Sequence, residues 1–147
     1  MNRFATLSAC ALLFALTPAC GDSSVDAEGF VEGARQTTSG GGLVVTLWSD
    51  DGTVEPGMNG FVLHVAMRDP DDLDGAGFGV PGAELDVHAY MPNDGVHMSS
   101  TPTVRYLGSG EYAVDGLFLE KSGVWVLEFE LRLGETFDEL IEYPFEL

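Results

Sequence analysis

Val124 to Leu133 alternate without a break: Trp125, Leu127, Phe129, Leu131 and Leu133 on one parity, Val126, Glu128, Glu130 and Arg132 on the other. A period of two puts all five large apolar side chains on one face of an extended strand, which a helix cannot do. A strand that is apolar on one side needs a second layer to cover it. A packed antiparallel sheet is the simplest arrangement that supplies one.

The same texture recurs along the chain. Leu43-Val-Val-Thr-Leu-Trp48 is apolar and β-branched, bounded by Gly-Gly and Ser-Asp-Asp-Gly. In Phe61 to Met67, Phe61, Leu63, Val65 and Met67 share one face and His64 takes the other. In Ala83 to Met91, Leu85, Val87, Ala89 and Met91 face one way, with Asp86, His88 and Tyr90 opposite. Thr103 to Leu107 and Glu111 to Leu119 read as a hairpin around Gly108-Ser-Gly110. Gly134-Glu135 turns the chain toward a last strand near Leu140 to Leu147, with a short turn expected over Phe137 to Ile141. No window carries a helical period. Six or seven strands with frequent turns predict an all-β fold. The first choice is an antiparallel immunoglobulin-like β-sandwich of about seven strands, and the second is a small barrel.

The N-terminus addresses location. Asn2 and Arg3 precede an apolar run from Phe4 to Leu16, closed by Thr17-Pro-Ala-Cys20. The run is 13 residues long, short of the roughly 20 that span a bilayer and suited to a signal-peptide core. Ending in Ala19-Cys20-Gly-Asp, it resembles a bacterial lipoprotein signal, in which Cys20 is lipidated and becomes the new N-terminus. Pro18 intervenes, and Leu16 stands one place further from Cys20 than the usual pattern has it. Ordinary secretion with cleavage near Cys20 and an uncleaved anchor are the alternatives.

The lipoprotein reading divides the chain into a signal peptide at 1–19, a flexible tether at 20–41 and one domain at 42–147. The tether is rich in Gly, Ser, Thr and acid, and Phe30-Val31 is its one apolar pair with a reason to dock on the domain. Cys10 leaves with the signal and Cys20 carries lipid, so the domain has no disulfide and holds by core packing alone. The expected location is the bacterial cell envelope, on its periplasmic or cell-surface side. The expected partners are the membrane, through the Cys20 lipid, and an unidentified envelope protein.

With Arg3 gone, 24 acidic residues face five basic ones, a net of 19 negative charges. Such a surface repels nucleic acid and anionic lipid head groups and concentrates cations. A solvated acidic exterior explains it without any specific ligand.

A family resemblance rests on the order of several short pieces. Gly79-Val-Pro-Gly-Ala83 leads into the alternating strand ending Met91-Pro92. A polar Gly-containing turn, Pro102 and Gly108-Ser-Gly-Glu-Tyr112 follow, then Phe118, Gly123 and Trp125. This order resembles the YtkA-like domain, related in outline to FixH-type periplasmic modules, over residues 43–147. The resemblance implies an immunoglobulin-like sandwich, often carried on lipoproteins or membrane proteins. It also implies a link to copper handling or respiratory oxidase assembly, though no single activity defines the family.

Thioether and imidazole are the ligands Cu(I) favours, and Met91, Met98, His88 and His97 lie between residues 88 and 98. In the resembled family, Met-Pro is often followed by further Met or His residues around a glycine. Met91, Pro92 and Gly95 match that pattern, Asn93 and Asp94 stand where soft ligands belong, and His97 and Met98 come one turn later. The candidate metal site is therefore Met91, His97 and Met98, with His88 or His64 in reserve. Alternation sends His88 to the face opposite Met91. If their strands were neighbours, His64 and His88 would meet across the outer face. The plainer reading leaves Met91 in the core, Met98 over a sandwich end and His97 in solvent.

Asp69-Pro-Asp-Asp-Leu-Asp-Gly75 offers hard oxygen ligands for Ca²⁺, but EF-hand spacing would put Pro70 at the first ligand position and Pro81 at the last. There is no Gly-x-Ser-x-Gly elbow, no His-Glu-x-x-His and no nucleophilic cysteine in the mature chain. The expectation is a non-enzymatic binding module that binds or transfers copper. The alternative is a structural or adhesive sandwich that docks a protein partner without metal.

Overall fold

The computed structural model describes residues 25, 27–135 and 137–147; the signal peptide expected at 1–19 and the lipidation expected at Cys20 lie outside the described residues. Ten strands follow one another: β1 (Ala34–Thr37), β2 (Leu43–Ser49), β3 (Gly57–Met67), β4 (Phe78–Gly79), β5 (Glu84–Met91), β6 (Val96–His97), β7 (Thr103–Gly108), β8 (Glu111–Leu119), β9 (Val124–Leu133) and β10 (Phe137–Glu146). One sheet runs β1-β2-β3-β8-β7, with β4 against the end of β3, and the other runs β10-β9-β5-β6. Setting β1 and β4 aside, this is the immunoglobulin order: A, B, E, D in one sheet and G, F, C with a short C′ in the other.

The core lies between the sheets and follows from the alternation. Trp125, Leu127, Phe129 and Leu131 of β9 are fully buried against Leu47, Phe61, Leu63 and Val65 of the facing sheet. Two tyrosines tie the layers. The Tyr143 hydroxyl on β10 donates to the carbonyl of Val45 on β2 (2.7 Å). The Tyr112 hydroxyl on β8 donates to the Val80 carbonyl and accepts the Ala83 N–H, both at 2.8 Å, fixing the segment that carries the chain into β5. The β7–β8 turn closes tightly on β3 and β4. Gly110 has φ +84°, and a Cβ there would stand 2.5 Å from the Val65 carbonyl oxygen and 2.6 Å from Gly79 Cα. Only glycine fits that position.

Two stretches differ from their expected form. The 20–41 stretch is not tether throughout: Ala34–Thr37 forms β1, paired with Val44–Leu47. Upstream, Gly29 bridges Glu146 in parallel, and the Phe30 ring stands 5.6 Å from both Phe61 and Phe145. Phe30 docks as expected, whereas Val31 stays exposed at 57%. The segment from Phe137 to Ile141, expected as a turn, is the start of β10. Its alternation is inverted: Glu139 points inward at 6% exposure while Leu140 is 38% exposed. The Glu139 carboxylate is buried because Ser39 Oγ and the Gly40 N–H both donate to it.

Candidate functional site

The outer face of the four-stranded sheet gathers two of the three histidines, His88 and His97, with a row of carboxylates. Because β5 and β9 pair in register, His88 stands opposite Glu128, Asp86 opposite Glu130 and Tyr90 opposite Val126. From the other side β10 sets Glu142 against Glu128 and Asp138 against Arg132. β6 sets His97 beside Tyr90, their ring centroids 5.9 Å apart. Among the described residues Arg132 is the one cation on this face, 3.0 Å from both Asp86 and Glu130. Its hydrogen bond to Glu130, then the charge of Asp86, hold its guanidinium pKa above the usual value. The Tyr90 hydroxyl donates to Glu142 Oε1 (2.9 Å). That bond, with some burial and the charges of Glu142 and Glu128, pushes its pKa up to about 12.

Within this field, donor atoms of His88, Glu128 and Glu130 all lie within 4.8 Å of one another. His97 joins His88, Tyr90 and Glu128 around a shallow pocket of about 340 Å³. Imidazole nitrogen with carboxylate oxygen suits Zn²⁺ or Cu²⁺, whereas Cu⁺ prefers sulfur. A tetrahedral ion at about 2.1 Å from each donor needs those donors about 3.4 Å apart. His88 is exposed and both glutamates are half-buried, and Glu130 Oε2 also accepts from Arg132 at 3.0 Å.

The soft-ligand set from the sequence divides across the sheet. Residues 92–95 form the turn between β5 and β6, and the Gly95 N–H donates to the Met91 carbonyl (2.9 Å). This turn pairs Met91 with Val96 and Tyr90 with His97. Met91 is therefore inward and 4% exposed. Its Cε lies where a Cβ on Gly123 (φ +136°) would come within 2.5 Å. Met98 also turns inward and packs on the core, while His97 points out. Met91, His97 and Met98 do not converge, and a thioether-rich copper site does not fit these residues. His88 and His97 share the outer face instead.

His64 does not meet His88: β3 and β5 belong to different sheets, and His64 sits between Thr46 and Glu111. Glu128 and Glu130 escaped sequence reasoning. Their only signal was their place on the solvent parity of β9, and their meeting with His88 depends on a register no local pattern states.

The Asp69–Gly75 loop is a tied turn. Asp69 Oδ1 accepts the Asp71 N–H (2.9 Å), and the Arg35 guanidinium donates to the Asp74 and Gly75 carbonyls. Its carboxylates form no converging group of three among the described residues.

Fold and strand order place the chain among immunoglobulin-like β-sandwich domains. No family model matches it, and no curated protein matches it. Among solved structures it is similar to the crystal structure of a DUF4426 family protein from Pseudomonas aeruginosa, with a TM-score of 0.51 and 11% identity. The match covers 77% of this chain and 94% of that one. At that identity the likeness concerns the fold alone.

Proposed function

We propose that this chain is a lipid-anchored, extracytoplasmic binding module that holds a divalent ion of the copper or zinc class on the outer face of β5 and β9. The observation that carries the reading is the approach of His88, Glu128 and Glu130 donor atoms to within 4.8 Å of one another. His97 is the fourth donor within reach, because a diagonal cross-strand neighbour lies about 7–8 Å away at Cα. The chemistry is binding and release; no residue here is assigned to bond-making or bond-breaking. The sequence resemblance to YtkA-like domains supports copper as the natural ion, taken as Cu²⁺ by nitrogen and oxygen ligands. The signal-like N-terminus supports lipidation at Cys20 and a place in the cell envelope.

Calorimetric titration of the chain from Gly21 onward with Cu²⁺ and Zn²⁺ tests the site. One ion should bind at micromolar affinity or tighter, weakened about tenfold or more in both His88→Ala and Glu128→Ala. Met91→Leu should bind as the parent does. Absence of stoichiometric binding, or binding untouched in the His88/Glu128 double variant, sinks the reading. Lipidation is tested separately by metabolic labelling with a fatty-acid analogue, which should label the parent and not Cys20→Ser.

A second reading, a protein-docking sandwich without metal, is favoured by three exposed apolar side chains. Met67 (57%), Leu73 (55%) and Phe78 (69%) stand at the end of the sandwich opposite the β5–β6 turn.

A further inference from the structure

β5 is paired by β9 from Glu84 to Tyr90, but by β6 only at Tyr90 and Met91. Among the described residues, no strand lies beside its other edge from Glu84 to His88. The hairpin tells which peptide groups point that way. The Ala89 carbonyl accepts the Met98 N–H (2.8 Å), and the Met91 carbonyl accepts the Gly95 N–H. Main-chain groups alternate sides along a strand, so the N–H and C=O of Leu85 and Val87 leave by the same edge. They open onto a groove of about 330 Å³ whose apolar side chains are Leu85, Val87, Met98, Pro102 and Val104 and whose polar ones include Asp86, His88, Ser100 and Thr101.

The edge of β10 is treated differently. The Ser39 N–H donates to the Leu140 carbonyl and the Glu146 N–H to the Glu28 carbonyl, so flanking chain covers it at both ends. An unpaired ladder edge beside a partly apolar groove is a template for another strand.

We propose that the open edge of β5 accepts an extended segment of a partner protein, alternating apolar and basic residues, as an added strand. Five residues facing Glu84 to His88 span about 17 Å. The segment's main chain would bond to Leu85 and Val87, and its apolar side chains would enter the groove. Its basic side chains would stand on the outer face beside Glu84, with Asp86 shared between them and Arg132. A second copy of this chain is a poor occupant, because two β5 edges side by side would line up like charges on a molecule of formal net charge −18. The inference goes beyond metal binding and does not need it, although His88 and His97 border both the groove and the metal pocket.

The probe is an acetylated, amidated hexapeptide of alternating lysine and valine, compared with its glutamate–valine counterpart. Each is titrated in EDTA into the ¹⁵N-labelled chain from Gly21 onward. The lysine peptide should shift the amide signals of Leu85 and Val87 and slow their hydrogen exchange, while the glutamate peptide leaves them unchanged. N-methylating its central valine should remove binding. Reversing the charge with Glu84→Lys and Asp86→Lys together should weaken it about tenfold. Equal binding of both peptides, shifts confined to β7 or β10, or undiminished binding of the N-methylated peptide overturns the proposal. Binding that appears only with added metal also overturns it, while leaving the metal site standing. A dimer in sedimentation velocity that buries the β5 amides assigns the edge to a second copy and overturns it as well.

Discussion

Tyr143 holds its hydroxyl inside the sandwich on a single acceptor, the Val45 carbonyl. Burial raises the pKa of both Tyr143 and Tyr112, and Tyr90 is pushed up to about 12, chiefly by its hydrogen bond to Glu142. The folded chain therefore keeps protons that the unfolded chain begins to release near pH 10. The unfolded state binds fewer protons there, so stability is intact below about pH 10 and falls as pH rises through the folded pKa values. Urea midpoints measured from pH 9 to 12 should decline, and less steeply in Tyr143→Phe; a flat profile contradicts the assignment. At neutral pH that substitution should itself cost about 1 kcal/mol through the lost hydrogen bond, the Val45 carbonyl keeping its place in the β1–β2 ladder. Met91 separates packing from ligation. Met91→Ala should cost about 2–5 kcal/mol and Met91→Leu less than about 1.5, because the thioether fills core volume against Gly123. His97→Ala should leave the unfolding midpoint within error, since the ring is exposed.

Among the strands, legibility tracked how much of each element's stability its own side chains provide. β9 was readable because Trp125 to Leu131 alternate and every inward residue is apolar. β1 was not: Ala-Arg-Gln-Thr buries almost nothing, and its order comes from backbone pairing with β2 and from Phe30 seated between two core rings. The start of β10 misled because Glu139 occupies an inward place and Leu140 an outward one, a reversal made tolerable by donors 100 residues away in sequence at Ser39. The candidate site was half legible. The imidazoles and the Met-Pro turn stood out locally, but a four-residue turn decides whether His97 or Met98 faces outward. Only the β5–β9 register brings Glu128 and Glu130 to His88. Arg35 links one such quiet element to another. Arg35→Ala should speed amide exchange across residues 71–75 while leaving the exchange of β9 unchanged, since the guanidinium is what ties that loop to β1. Exchange unaltered in the loop would show that the loop orders itself.

For the molecule as a whole, charge and closure pull in opposite directions. A formal net charge of −18 repels itself in the compact state. Melting temperature should rise as salt is added from low to moderate concentration, when the Debye length shrinks to about 8–10 Å. A constant or falling value would mean that the scattered ion pairs outweigh the repulsion. Against that repulsion works the seam where the N-terminal segment meets the last strand. Phe30→Ala should cost about 2 kcal/mol through lost apolar burial, read from the denaturant midpoint with little change in its slope. The same seam has a topological result. With Gly29 bridging Glu146 and the Glu146 N–H bonded to the Glu28 carbonyl (2.7 Å), the path enters and leaves this body at one spot. A host protein's surface loop could be cut and this sandwich spliced into the gap with short linkers, its two ends already side by side. New ends could equally be opened at the β5–β6 turn.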